Sequence, residues 1–133
     1  MKDIVNHHDG HGLNESISII PDPKSVEFGA PHLYRFTVSK ALNPQDPMHD
    51  LVLVDAGYIQ FQRGPRHEAD STPGVTSAAV IAMLIHHLKG FQAGLFPSRQ
   101  SALAVTKLEE ALFWIRDRAD ERSQRGVLGK AAS

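Results

Sequence analysis

Four arginines, Arg116, Arg118, Arg122 and Arg125, crowd one short stretch near the C-terminus. A guanidinium is a rigid, permanently charged fork that grips phosphate oxygens two at a time, so the cluster suits a phosphorylated ligand. It equally suits the negative end of a helix dipole, and Asp117, Asp120 and Glu121 stand at helical spacings that pair with it. Spacing leaves both readings open. Phe91, with Gln92 beside it, lies near the end of a helical pattern, where an aromatic face can stack on a purine. Taken alone, the same phenylalanine reads as a core residue.

Glu109 and Glu110 resemble the paired carboxylates with which helical nucleotide pyrophosphohydrolases hold magnesium. Such sites repeat acidic residues one turn apart on one face. Here Thr106 stands a turn before Glu110 and Trp114 a turn after, so a solvated face or ion pairs to Lys107 and Arg116 is the simpler reading. His7, His8 and His11 near the N-terminus are potential metal donors, yet they sit in a polar, glycine-rich tail. His86 and His87 are adjacent and so point to different sides of a helix. No phosphate-cradling or dinucleotide glycine fingerprint is present.

Composition narrows the classes further. The chain has 133 residues, 41% of them hydrophobic, which supports a real core. A net charge of −1 argues against a general nucleic-acid coat, which needs a basic excess. The cysteine count of 0 excludes disulfides, thiolate metal sites and cysteine nucleophiles. The N-terminus carries no apolar secretory segment, and the apolar run Ala78 to Leu88 is too short to span a bilayer. A cytoplasmic protein is expected, with no cofactor and no bound metal.

Positioning such side chains falls to a β-rich first half and a helical second half. Residues 1–16 read as a flexible tail, and 17–130 as one α+β ligand-binding domain, β-rich over 17–66 and helical over 76–125. Ile17 to Ile20 is a short β-prone run stopped by Pro21 and Pro23. From Leu33 to Val38 the apolar residues alternate, as in a half-buried strand. Leu51 to Gln62 reads as a hairpin turning at Asp55-Ala56-Gly57. Thr76 is the expected N-cap of a helix ended by Gly94 and Pro97, and Ser98 caps a second one running to about Gln124. Val105, Leu108, Leu112 and Ile115 form its apolar stripe. The expected architecture is an antiparallel sheet of three to six strands packed on an antiparallel helical hairpin, with part of the long helix left for a partner chain.

Taken in order, these motifs resemble the Thoeris anti-defence 1 proteins of phages. The resemblance is carried by Ile59-Gln60-Phe61-Gln62 with Gly64-Pro65, Gly74-Val75-Thr76, Phe91-Gln92-Ala93-Gly94-Leu95-Phe96, Arg99 with Ala102-Leu103-Ala104, Leu108-Glu109-Glu110-Ala111-Leu112, and the closing Arg118, Arg122, Arg125-Gly126-Val127 and Gly129. The C-terminal part is similar to the smaller anti-CBASS protein 2 family as well. The resemblance implies a non-catalytic sponge that holds cyclic ADP-ribose isomers of Thoeris systems intact, with cyclic di- and trinucleotides of CBASS systems as a further ligand class. It implies homodimers, or hexamers built as trimers of dimers, inside an infected bacterial cell, and no dealings with long nucleic acid or membrane. The implied ligand-binding residues are Phe91, Gln92, Arg99, Ser101, Arg118 and Arg122, with Phe91 as the base-stacking aromatic, Arg118 as the phosphate-binding arginine and Ser101 at the family's pocket asparagine.

Three departures bear on ligand choice. Leu95 stands where the family has proline, Ser98-Arg99-Gln100-Ser101-Ala102 replaces Cys-Arg-Glu-Asn-Ala, and Leu128-Gly129-Lys130 replaces Glu-Gly-Thr. At position 101 one hydroxyl takes the place of an amide. Two readings outside the sponge remain, a helical nucleotide hydrolase using Glu109, Glu110 and a divalent ion, and a partner-binding module.

Overall fold

Strand formation begins where the sequence alternates. In a computed structural model that describes residues 5–8, 10, 14–46, 49–64 and 68–124, three strands form one antiparallel sheet, β1 (Ile17–Pro21), β2 (Leu33–Ala41) and β3 (Leu51–Gln60), in the order β1-β2-β3. Two helices follow, α1 (Ser77–Ala93) and α2 (Arg99–Gln124), so the α+β arrangement is the observed one. The chain divides into two compact units, Met1–Arg63 and Gly64–Ser133. Sheet and helices fall one in each.

The central strand β2 sets the register of the sheet. Ile17, Ile19 and Pro21 stand opposite Val38, Phe36 and Tyr34. On the other side Tyr34 faces Ile59 and Phe36 faces Gly57. One face therefore collects Ile17, Ile19, Tyr34, Phe36, Val38 and Ile59, as period-two patterning requires. The link from β1 to β2 is tied by Ser25, which is buried. Its hydroxyl accepts from the backbone N–H groups of His32 and Leu33, both at 3.0 Å, and donates to the Asp22 carbonyl at 2.6 Å. The Asp22 carboxylate accepts from Lys24 N and pairs with Arg35 at 2.9 Å. Those contacts, the Arg35 bond foremost, hold its pKa below the ordinary 3.8.

The expected hairpin at Asp55-Ala56-Gly57 does not form. β3 runs unbroken through it, because the nine residues of β2 offer a partner along its whole length. The apolar run and the alternating segment that suggested two strands differ in phase. A bulge absorbs that difference, since Val38 pairs with Asp55 but Ser39 with Leu53, leaving Val54 as the extra residue. Gly57 is in the strand for a packing reason. The Phe36 ring lies over it, and a Cβ there would come within 2.7 Å of the ring's Cζ.

The helical unit follows the sequence expectation closely. Thr76 caps α1, its hydroxyl accepting from Ala79 N at 3.1 Å. The core of the hairpin is Ile85, Val105 and Leu112, with Ala78, Ile81, Leu88 and Leu108 packed against it. Among the described residues no helix is long and apolar enough to cross a membrane. Of the predicted closing motif, Arg125, Gly126, Val127 and Gly129, like His11, lie outside the described residues.

Candidate functional site

The first half of the candidate site is built by the turn between α1 and α2. Phe91 lies in the last turn of α1 and keeps 43% of its surface exposed, which a core aromatic would not. It meets His87 one turn earlier, edge to face, with ring centroids 5.0 Å apart. Val80, Leu84, His87 and Phe91 follow one another at helical spacings on a flank of α1 separate from the Ile81–Ile85–Leu88 core line. From sequence, His87 reads only as a helix histidine that does not converge with His86, with no place in the site. The i, i+4 spacing to Phe91 was the available signal.

α1 ends at Gly94, whose N–H reaches the Phe91 carbonyl at 3.3 Å. Ser98 then starts α2. Its hydroxyl accepts from Ser101 N at 3.0 Å and its carbonyl from Ala102 N at 3.1 Å. Gln92 binds this same residue twice: its Oε1 accepts from Ser98 N at 2.8 Å and its Nε2 donates to the Ser98 carbonyl at 3.0 Å. Phe91, Gln92, Arg99 and Ser101 are thereby gathered at the turn end of the hairpin. Arg99 is exposed and Ser101 half-buried.

Arg118 and Arg122 belong to the opposite end of α2. The helix is continuous from Arg99–Gln124, so the 17 positions between Ser101 and Arg118 span about 25 Å at 1.5 Å per residue. One small nucleotide does not touch both within a chain. Arg118 is exposed and makes no ion pair with a described residue, so its guanidinium is available to an anion. Arg122 is half-buried. Between the two ends, Glu109 pairs with Lys89 of α1 at 3.2 Å and Glu110 with Lys107 at 3.8 Å. The two carboxylates are thus held by different lysines. Among the described residues no three His, Asp or Glu side chains converge as metal ligands would.

The hairpin leaves large apolar side chains uncovered. Met83, Leu84, Leu103, Phe113 and Trp114 are exposed on the two helices, and Leu95 and Phe96 on the turn. The ring of Phe113 meets that of Trp114 at 5.3 Å. These uncovered side chains are apolar surface that the hairpin itself does not bury.

Comparison with known proteins places this unit. Residues 55–119 match the family model described as the Acb2/Tad1 hairpin domain. The match takes in Phe91, Gln92, Arg99, Ser101 and Arg118, and stops short of Arg122. Over 71 residues the chain is 48% identical to a protein named Thoeris anti-defense 1 from Bacillus phage SBSphiJ7, covering 53% of this chain and 49% of the relative. The chain therefore spans about half the length of that curated relative.

Proposed function

We propose that this chain, whose residues 55–119 match the Acb2/Tad1 hairpin domain, is a phage anti-defence protein that sequesters a small cyclic nucleotide immune signal without cleaving it. The ligand class is that of the cyclic ADP-ribose isomers of Thoeris, with CBASS cyclic oligonucleotides as a second class. The observation that carries the reading is the match over residues 55–119, which holds five of the six candidate ligand residues. In this reading the exposed face of Phe91 stacks on a base and Arg118 makes charge-assisted bonds to the diphosphate. Affinity then arises from enclosure, stacking and charge, and no side chain need attack a bond.

The separation of Ser101 and Arg118 makes the site a property of two chains. Two protomers pack their long helices antiparallel about a twofold axis, so that the turn end of one meets the arginine end of the other. Each dimer then holds two equivalent pockets, and the uncovered Met83, Leu84, Leu103, Phe113 and Trp114 supply apolar surface for this contact and for further assembly into hexamers. The protein acts where the signal is made, in the cytoplasm of the infected cell.

The deciding experiment incubates the purified protein with cyclic ADP-ribose isomers and cyclic di- and trinucleotides, washes it, denatures it by heat and identifies the released molecules by mass spectrometry. Recovery of an unaltered cyclic ADP-ribose species is expected. Linear products would replace the sponge by a hydrolase, and an empty protein by a module that binds a macromolecular partner.

A further inference from the structure

We infer that Gln92 is a positioning residue of the ligand site: its amide fastens the α1–α2 turn and so sets where Phe91, Arg99 and Ser101 stand. The inference rests on the ligand-binding reading above and concerns how that site is held.

The need for such a fastening follows from where the core stops. On α1 the last residue packed into the core is Leu88, and on α2 the first is Val105. Phe91, Arg99 and Ser101 all lie between them, beyond the reach of the apolar packing that holds the rest of the hairpin. The connection contains Gly94, which has no side chain to pack, and Leu95 and Phe96, which are exposed. A turn of this kind tethers two helix ends without fixing them.

The Gln92 amide supplies the missing constraint. A side-chain amide has the donor and acceptor geometry of a peptide group, and here it pairs with Ser98 as a neighbouring strand would, accepting at 2.8 Å and donating at 3.0 Å. Ser98 is also the N-cap of α2 through its bond to Ser101 N at 3.0 Å. One bidentate contact therefore joins the last turn of α1 to the first of α2. Phe91 immediately precedes one partner, Arg99 immediately follows the other, and Ser101 is held by the cap itself. Because one N–H of Gln92 is already committed to the Ser98 carbonyl, contact with a ligand through that hydrogen would break a bond within the chain.

The test compares the full-length protein with Q92A and Q92E, reading backbone amide exchange in the ligand-free state by NMR and affinity for the cyclic ADP-ribose probes by calorimetry. In Q92A, exchange at Ser98 and Ser101 is expected to rise at least tenfold, and affinity to fall about tenfold, as for loss of hydrogen bonds of ordinary strength. In Q92E the carboxylate faces the Ser98 carbonyl at neutral pH. Once protonated near the usual glutamate value of about 4.3 it regains the donor that the Ser98 carbonyl needs while still offering an acceptor, so protection of Ser98 should recover as pH falls toward 4. Weaker binding by Q92A with Ser98 and Ser101 exchange unchanged would mean that Gln92 touches the ligand, and would overturn the inference. Faster exchange with undiminished affinity would overturn it too, because the turn would not position the site. Failure of the unmutated protein to bind any probe would remove the sponge reading itself, whereas normal binding by both proteins removes only the role of Gln92.

Discussion

Replacing Gly57 by alanine should destabilise the sheet, and the reason is a single ring. An ideal Cβ at position 57 would lie 2.7 Å from Cζ of Phe36, 3.1 Å from Cε1 and 3.3 Å from Cε2. Three ring atoms inside normal contact distance force the phenylalanine off its rotamer or push β2 and β3 apart, which costs about 1–3 kcal/mol. Against this, alanine relieves the strand of glycine's excess unfolded-state entropy, worth about 0.5–1 kcal/mol. The net expectation is a loss of about 1–2 kcal/mol. Phe36→Leu removes the atoms that clash, because leucine ends where the Cδ atoms of the ring begin. In that background Gly57→Ala should become neutral or stabilising by up to about 0.5–1 kcal/mol. Urea titrations followed by circular dichroism on the four proteins of this cycle give the coupling directly. Equal costs of Gly57→Ala with and without the ring would refute the argument, since the ring would then not lie over the glycine.

Four further outcomes are expected. Arg118→Ala should weaken binding of cyclic ADP-ribose probes by about 10–100-fold, the usual loss for a hydrogen bond to a charged group, with the melting temperature unchanged because the side chain is exposed. Mixing that variant with Ser101→Trp should restore about a quarter of the sites if each pocket draws on two chains, since half the dimers are mixed and each of those has one intact pocket; calorimetric stoichiometry reads this, and no recovery after subunit exchange would refute a shared pocket. Phe28 is exposed at φ 52 and is followed by Gly29 at φ 84 in a tight turn between Glu27 and Ala30. Asparagine tolerates that geometry far better, so Phe28→Asn should raise stability by about 0.5–1 kcal/mol in urea. Finally, the lowered pKa of Asp22, due first to Arg35, stabilises the fold fully above the unfolded value of 3.8, and this contribution is lost as pH falls through the lower folded value. Acid titration of Arg35→Gln should show a smaller loss over that window than the unmutated chain, as read by circular dichroism.

The elements whose cause is local were legible in the sequence. The stripe Val105, Leu108, Leu112 predicts α2 because period 3.6 is a property of one helix, and two of these residues are buried in the observed core. Thr76 and Ser98 are caps by the chemistry of a hydroxyl next to unpaired N–H groups, and both act as such. The alternation of Tyr34, Phe36 and Val38 predicts β2 for a similar reason. Candidate residues Phe91, Gln92, Arg99 and Ser101 could be gathered on paper because they are close in sequence.

What depends on a partner was not legible. Asp55-Ala56-Gly57 has the composition of a turn, and only the presence of β2 alongside made it strand, with the phase error taken up by a bulge at Val54. Gly57 looked like a turn residue and proved to be room for a ring from the next strand. Gln92 could be picked out beside Phe91, but its partner Ser98 could not, since a side chain that loops back across a turn leaves no periodic trace. Lys89 meets Glu109 only because α1 and α2 lie side by side. Sequence by itself determined which segments repeat at helix or strand period, because those repeats arise from bonds along one chain. Tertiary structure decided which polar groups and which empty spaces belong together, because hydrogen bonds and van der Waals contact act over a few ångströms whatever the distance in sequence.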